Sequence, residues 1–197
     1  MSATTRHLRN EGQTLIGQSR GSRLAGRVVA NGRPGRYGRA IGTDVSGQSW
    51  FRQAMATVGG GEYSMADIAV NPALDGALVA TYATAIREGG EAAGRPLGVL
   101  GIFFDWQPQA DAVVRGVRLR PEERARSRCL LVDRNLKILA ASDGAGLLRD
   151  TIRLESEPAA IGAYTDADGT IVGYARTSGY ETYRGMGWYG VIQQRSH

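Results

Sequence analysis

The sequence predicts an α+β fold: two antiparallel-sheet subdomains in tandem, preceded by an N-terminal helix. Three observations predict it. Glycine supplies 28 of the 197 residues, about twice the usual ~7%, which suits short strands and tight turns better than a helix bundle. The apolar run Leu97 to Phe104 is too short for an independent helix and reads as a buried central strand. Each half also ends in a long extended pair, Val79 to Ile86 with Gly98 to Phe103, and Val172 to Ser178 with Gly187 to Ile192. At 42% hydrophobic and 22% charged, the composition is that of a globular chain.

Thr4 to Arg20 holds Leu8, Leu15 and Ile16 among polar residues, an i, i+7, i+8 spacing that predicts a helix with one narrow apolar stripe. Two partners suit such a stripe: the domain's own body, or a second subunit in a weak homodimer. Arg23 to Asn31 predicts a strand ending in an Asn-Gly turn, with an extended stretch on to Ile41. Ser46 to Thr57 predicts a helix with Trp50, Phe51, Ala54 and Met55 on one side, stopped by Gly59, Gly60 and Gly61. Glu62 to Ile68 reads as a short strand and loop, Ala77 to Arg87 as a strand, and Glu88 to Arg95 as a Gly-rich connector. Asp105 is an N-cap candidate for a helix over Trp106 to Val117.

The second half repeats the order in shorter form. Arg128 to Asp133 and Lys137 to Ser142 predict strands, and Asp143 to Leu148 a short helical region. Asp166 to Gly169 marks a hairpin between Ile161 to Thr165 and Thr170 to Thr177, and Gly187 to Gln193 closes the sheet. The expected organisation is a helix at 1–22, a first subdomain at 23–120 and a second at 121–194. Residues 195–197, Arg-Ser-His, read as the start of a vector-encoded polyhistidine tail, so flanking membrane helices are expected to have been cut away.

Charge is unevenly placed. Residues 1–40 hold eight arginines against Glu11, while the rest of the chain carries a net charge of −2. Basicity confined to one segment argues against nucleic acid as a partner. With only His7 and His197, a nucleophile–base pair has almost no material, and the single Cys129 excludes an internal disulfide and two-Cys zinc motifs. Neither catalytic residues nor a metal nor a cofactor is therefore expected. Gly185, Gly187 and Gly190 match a dinucleotide-binding pattern literally, but they enter a terminal strand rather than opening a helix. Asp166 to Gly169 lacks the later ligands of a calcium loop and reads as a turn.

A series of residues in the first half is more specific than any of these. Asp44 to Gln48 leads into Trp50-Phe51-Arg52-Gln53-Ala54, followed by Glu62-Tyr63-Ser64, the stretch Ala80 to Ile86 and the run Leu97 to Asp105. The series resembles the double Cache domain, the tandem PAS-like extracytoplasmic sensor of bacterial chemoreceptors, sensor kinases and cyclic-dinucleotide enzymes. The resemblance covers roughly residues 24–194. It implies a long N-terminal helix, a membrane-distal PAS-like half that holds a small ligand, and a membrane-proximal half that passes on the change. It also implies an inner-membrane protein with this part in the periplasm. Amine- and amino-acid-binding members carry an arginine two positions before the tryptophan, where this chain has Gln48. Without that guanidinium fork a free amino acid is disfavoured, and a neutral or cationic small molecule is expected.

The ligand-binding candidates are Trp50, Phe51, Tyr63, Asp67, Asn71, Tyr82 and Asp105, aromatic walls interleaved with polar groups in the first half. Trp50 and Tyr63 would wall the pocket, Asp67, Asn71 and Tyr82 would orient the ligand, and the loop 62–76 would close over it. Two rival readings are a cytosolic PAS-type interaction module and a small soluble enzyme. The first predicts a filled first half and an exposed apolar patch, the second a cluster of strongly shifted titratable groups.

Overall fold

The computed structural model describes residues 12–20, 23–155, 160–178 and 185–195. The chain divides into two units, Met1–Trp106 and Gln107–His197. The first is built on the strands β1 (Gly12–Arg20), β2 (Arg23–Asn31), β3 (Ser64–Asn71), β4 (Ala77–Arg87) and β5 (Pro96–Asp105). They form one antiparallel sheet in the order β2-β1-β5-β4-β3. The second unit holds β6 (Ser127–Val132), β7 (Ile138–Ala141), β8 (Ile161–Thr165), β9 (Ile171–Arg176) and β10 (Tyr189–Gln194). Their order, β7-β6-β10-β9-β8, is the same permutation. In each unit the first and last strands lie side by side at the centre.

In β4 and β5 the side chains alternate. Val79, Thr81 and Ala83, with Val99, Gly101 and Phe103, face inward and are buried. The roof over this face comes from residues 33–55: α1 (Pro34–Tyr37), a 3-10 turn at Gly38–Ala40, and α2 (Ser49–Met55). Val28, Tyr37, Ala40, Val45, Trp50, Phe51, Ala54 and Leu74 complete the core beneath it. The extended stretch expected up to Ile41 is therefore helical in part, because Pro34 pre-sets the first turn of α1.

Two expectations are corrected here. The helix expected over Thr4 to Arg20 is, from Gly12 onward, strand β1, paired with β2 and with β5 from Gly12↔Phe104 to Gln18↔Gly98. The apolar β5 requires a strand on both edges, and β1 supplies the second, so Leu15 and Ile16 occupy successive ladder positions instead of a helical stripe. A helix-borne homodimer on Leu8, Leu15 and Ile16 loses its geometry accordingly; Leu8 and His7 lie outside the described residues. Likewise, the covering loop expected at 62–76 is mostly the edge strand β3, bound to β4 from Ser64↔Ala83 to Asn71↔Ala77. Leu74, fully buried, pins the turn that follows.

The second unit opens with α3 (Trp106–Arg115, whose first residue closes unit one) and α4 (Pro121–Ala125). Its core joins Leu130, Val132, Ile138, Val172, Tyr189 and Val191 on one sheet face. The Asp133 carboxylate accepts the N–H groups of Asn135 and Lys137 at 2.7 and 2.9 Å, shaping the β6–β7 turn. The helix expected at Asp143 to Leu148 is a run of turns, with Gly144, Gly146 and Leu148 all at positive φ. On the opposite sheet face an apolar trough of about 650 Å³ is floored by Ala163, Gly173, Ala175 and Gly190 and walled by Val113 and Val117.

Candidate ligand site

The inner face of the first sheet is where α2 places its aromatics. Trp50 and Phe51 are adjacent in sequence, and Ala54 follows one turn later, so all three reach the sheet. The Trp50 ring stands edge-on to Phe103 at 5.3 Å and to Phe51 at 5.9 Å. Gly101 lies directly under the indole: a Cβ there would come within 3.1 Å of Trp50 and 2.9 Å of Phe103. The Ser64 hydroxyl reaches the Trp50 carbonyl at 3.1 Å and the Ala83 carbonyl at 3.3 Å, tying helix, β3 and β4 together. At the far end of β4, Arg87, 9% exposed, donates to the Gly94 carbonyl at 2.8 Å and to the carbonyl and hydroxyl oxygens of Thr57.

The seven candidate residues do not line one cavity. Trp50 and Phe51 lie on the inner face, in the core. Tyr82 alternates with the inward Thr81 and Ala83, so it points to the outer face. There it meets Phe104 edge-on at 5.5 Å and Tyr63 at 6.4 Å. A pocket walled jointly by Trp50 and Tyr63 is thus excluded by the period of the strand, which puts the sheet itself between them. Asp67, half-buried, sits in the β3 bulge between Ala66 and Ala69. Asn71 is occupied structurally, its side chain accepting the Ala73 N–H at 3.0 Å. Asp105 is exposed at the end of β5, opposite Val79.

Sequence reasoning passed over Ser64, Thr81, Gly101 and Arg87 as parts of this face. The signal available was the period of two in β4, which puts Thr81 and Arg87 on the same side as Val79 and Ala83.

The electrostatics of the roof are those of turns. The hydroxyl and the backbone N–H of Ser46, at 2.7 and 2.9 Å, hold Asp44 below the ordinary carboxylate value. Gln48 is the exposed residue before α2 and makes no side-chain capping bond. Among the described residues no three of His, Cys, Asp and Glu are grouped to hold a metal ion, and no helix is long and apolar enough to cross a membrane.

No protein-family model and no curated protein matches the chain. Solved structures do. The sensor domain of the V. cholerae histidine kinase DctB aligns over 94% of this chain and 72% of its own, with TM-score 0.59 and 14% identity. The ligand-binding domain of the Pseudomonas fluorescens chemoreceptor CtaA, in complex with L-leucine, aligns over 95% and 72%, with TM-score 0.61 and 18% identity. That of the Pseudomonas aeruginosa PAO1 amino acid chemoreceptor PctC, in complex with GABA, aligns over 92% and 72%, with TM-score 0.63 and 16% identity. These likenesses, each over more than nine-tenths of this chain, show its fold: two antiparallel sheets that follow one another along the chain, the tandem PAS-like, double Cache fold.

Proposed function

We propose that this chain is the extracytoplasmic ligand-sensing part of a transmembrane receptor, binding a small neutral or cationic molecule between the first sheet and its roof. The carrying observation is α2. It has seven residues and no side-chain N-cap, so it owes its place to the aromatic contacts of Trp50 and Phe51 with the sheet. A ligand that takes over part of those contacts shifts the helix and the chain around it, by as much as its affinity differs between the two arrangements. Gln48, where the resemblance implies an arginine, favours a ligand without a net negative charge. Binding without catalysis fits the shifted carboxylates Asp44, Asp143 and Asp168, each engaged by turn or ion-pair hydrogen bonds. The similar domains solved with L-leucine and GABA support small-molecule recognition on this fold.

A thermal-shift screen of neutral, cationic and dianionic metabolites tests the reading. A true ligand at 100 times its Kd adds about 2.7 kcal/mol of stability. Calorimetry with Trp50→Ala, its folding checked by circular dichroism, should then show lost affinity. Exclusive stabilisation by dianions would overturn the charge preference, and unchanged affinity in Trp50→Ala would overturn the location.

The alternative of an interaction module is favoured by one observation, the apolar trough of about 650 Å³ on the second sheet. Concentration-dependent association in sedimentation, abolished by Ala175→Glu, would support it.

A further inference from the structure

The second unit carries a polar cleft of about 490 Å³ at one end of its sheet. Ser127, Gln194, Ile171 and Thr165 form one row across four strands there, through the pairs Gln194↔Ser127, Gln194↔Ile171 and Thr165↔Ile171. Arg126 precedes the row at one end and Asp166 follows it at the other, and both line the cleft. Three strand spacings put their backbones about 14 Å apart.

Neither charge is neutralised by a described ion pair. Arg126 donates to the Arg195 carbonyl at 3.4 Å, and its Nε is buried without an acceptor. The Asp166 Oδ1 accepts the Ala167 N–H at 2.7 Å. Their neighbours differ from them: Arg128 pairs with Asp143 at 2.8 Å, and Asp168, which like Asp166 accepts a turn N–H, from Thr170 at 2.9 Å, also has the Arg195 guanidinium acting on its charge. The opposed charges do not rest on Arg195, the first of the three residues read as a tail.

We propose that this cleft is a second small-molecule site, which takes an elongated zwitterion with its carboxylate on Arg126 and its ammonium on Asp166. A guanidinium and a carboxylate held apart in one polar cleft match a molecule carrying the opposite charges several bonds apart. Two charge-assisted hydrogen-bond sets then form without bringing Arg126 and Asp166 together. The site lies wholly in the second unit and is independent of the reading of the first.

Titration calorimetry on the whole chain with 6-aminohexanoate, hexanoate and hexylamine tests it. The zwitterion should bind at least about tenfold more tightly than either half-ligand. Arg126→Gln and Asp166→Asn, the latter keeping the turn acceptor, should each weaken it about tenfold and erase its advantage. Trp50→Ala should leave it unchanged, which separates this site from the first. Absence of binding, equal binding of all three compounds, or zwitterion affinity unchanged in both cleft variants would overturn the proposal.

Discussion

The indole of Trp50 rests on the bare backbone of Gly101, one strand position pair away from Phe103, so the roof of the first unit closes on a residue with no side chain. A methyl group at 101 would meet the Phe103 ring at 2.9 Å, closer than a Cβ tolerates, and the indole at 3.1 Å, a contact tight enough to press on it. Gly101→Ala should therefore lower stability by about 1–3 kcal/mol through overpacking, read as a reduced denaturant midpoint with an unchanged slope. An unshifted midpoint would show that α2 yields freely.

Arg87 fastens the end of β4 to Thr57, just past α2, and to Gly94 in the connector. Arg87→Met keeps much of the side-chain volume but strands those oxygens, at a cost of about 1.5–3 kcal/mol. Hydrogen exchange should quicken around residues 57–60 and 92–95, where Gly60 donates to the Ala92 carbonyl. Uniform exchange changes across both units would contradict a local latch.

Cys129 is buried in β6, and burial pushes its thiol upward, with Arg124 a smaller opposing influence. Iodoacetamide at pH 8 should modify the folded chain at least about a hundredfold more slowly than the chain in denaturant. Because the folded thiol holds its proton longer, its contribution is intact below the unfolded value and declines as pH rises through the folded one. Cys129→Ala should reduce the loss of thermal stability on the alkaline side; an identical alkaline slope would count against it.

Asp44 and Asp168 are shifted the other way. Ser46, by its hydroxyl and then its N–H, lowers the first, and Thr170, by its N–H and then its hydroxyl, lowers the second. Their stabilisation is present above the ordinary carboxylate value of 3.8 and is lost as pH falls through the lowered values. Carboxyl NMR titrations should place both midpoints below that value. Asp44→Ala with Asp168→Ala should flatten the melting-temperature profile between pH 2 and 4; a profile as steep as that of the unmodified chain would contradict the assignment.

Strand β4 was legible in full, from Ala77 to Arg87, because Val79, Thr81, Tyr82, Thr84 and Ile86 make it rich in β-branched and aromatic residues between the Asn71-Pro72 turn and a Gly-rich connector. β5 was legible as a central strand because its apolar run is too short for an independent helix; Val99, Gly101 and Phe103 are buried on the inner face, while Leu100, Ile102 and Phe104 are only half-buried on the outer one. β1 was not: the pair Leu15-Ile16 satisfies a helical stripe as well as a strand, and only its pairing with β5, some 85 residues later, decides between them. The candidate site divided in the same manner. That Trp50 and Phe51 lie on the inner face was legible because aromatics on a short helix must be covered, but the face of Tyr82 depended on strand phase, and Tyr63 on the partner it meets. The cleft between Arg126 and Asp166 had no local signature, since its two ends are 40 residues apart in the chain and neighbours only through the sheet.

The last strand of the chain, β10, is not at an edge but in the middle of its sheet, laced to β6 on one side and β9 on the other. Tension applied where the chain leaves Gln194 therefore loads two ladders in shear, and they share it bond by bond. A slip of one residue would turn every β10 side chain to the wrong face, taking Val191 out of the core. The exit of the polypeptide thus behaves as a stiff rod set in the unit, so a pull or a push there moves the unit as one piece instead of being absorbed by stretching.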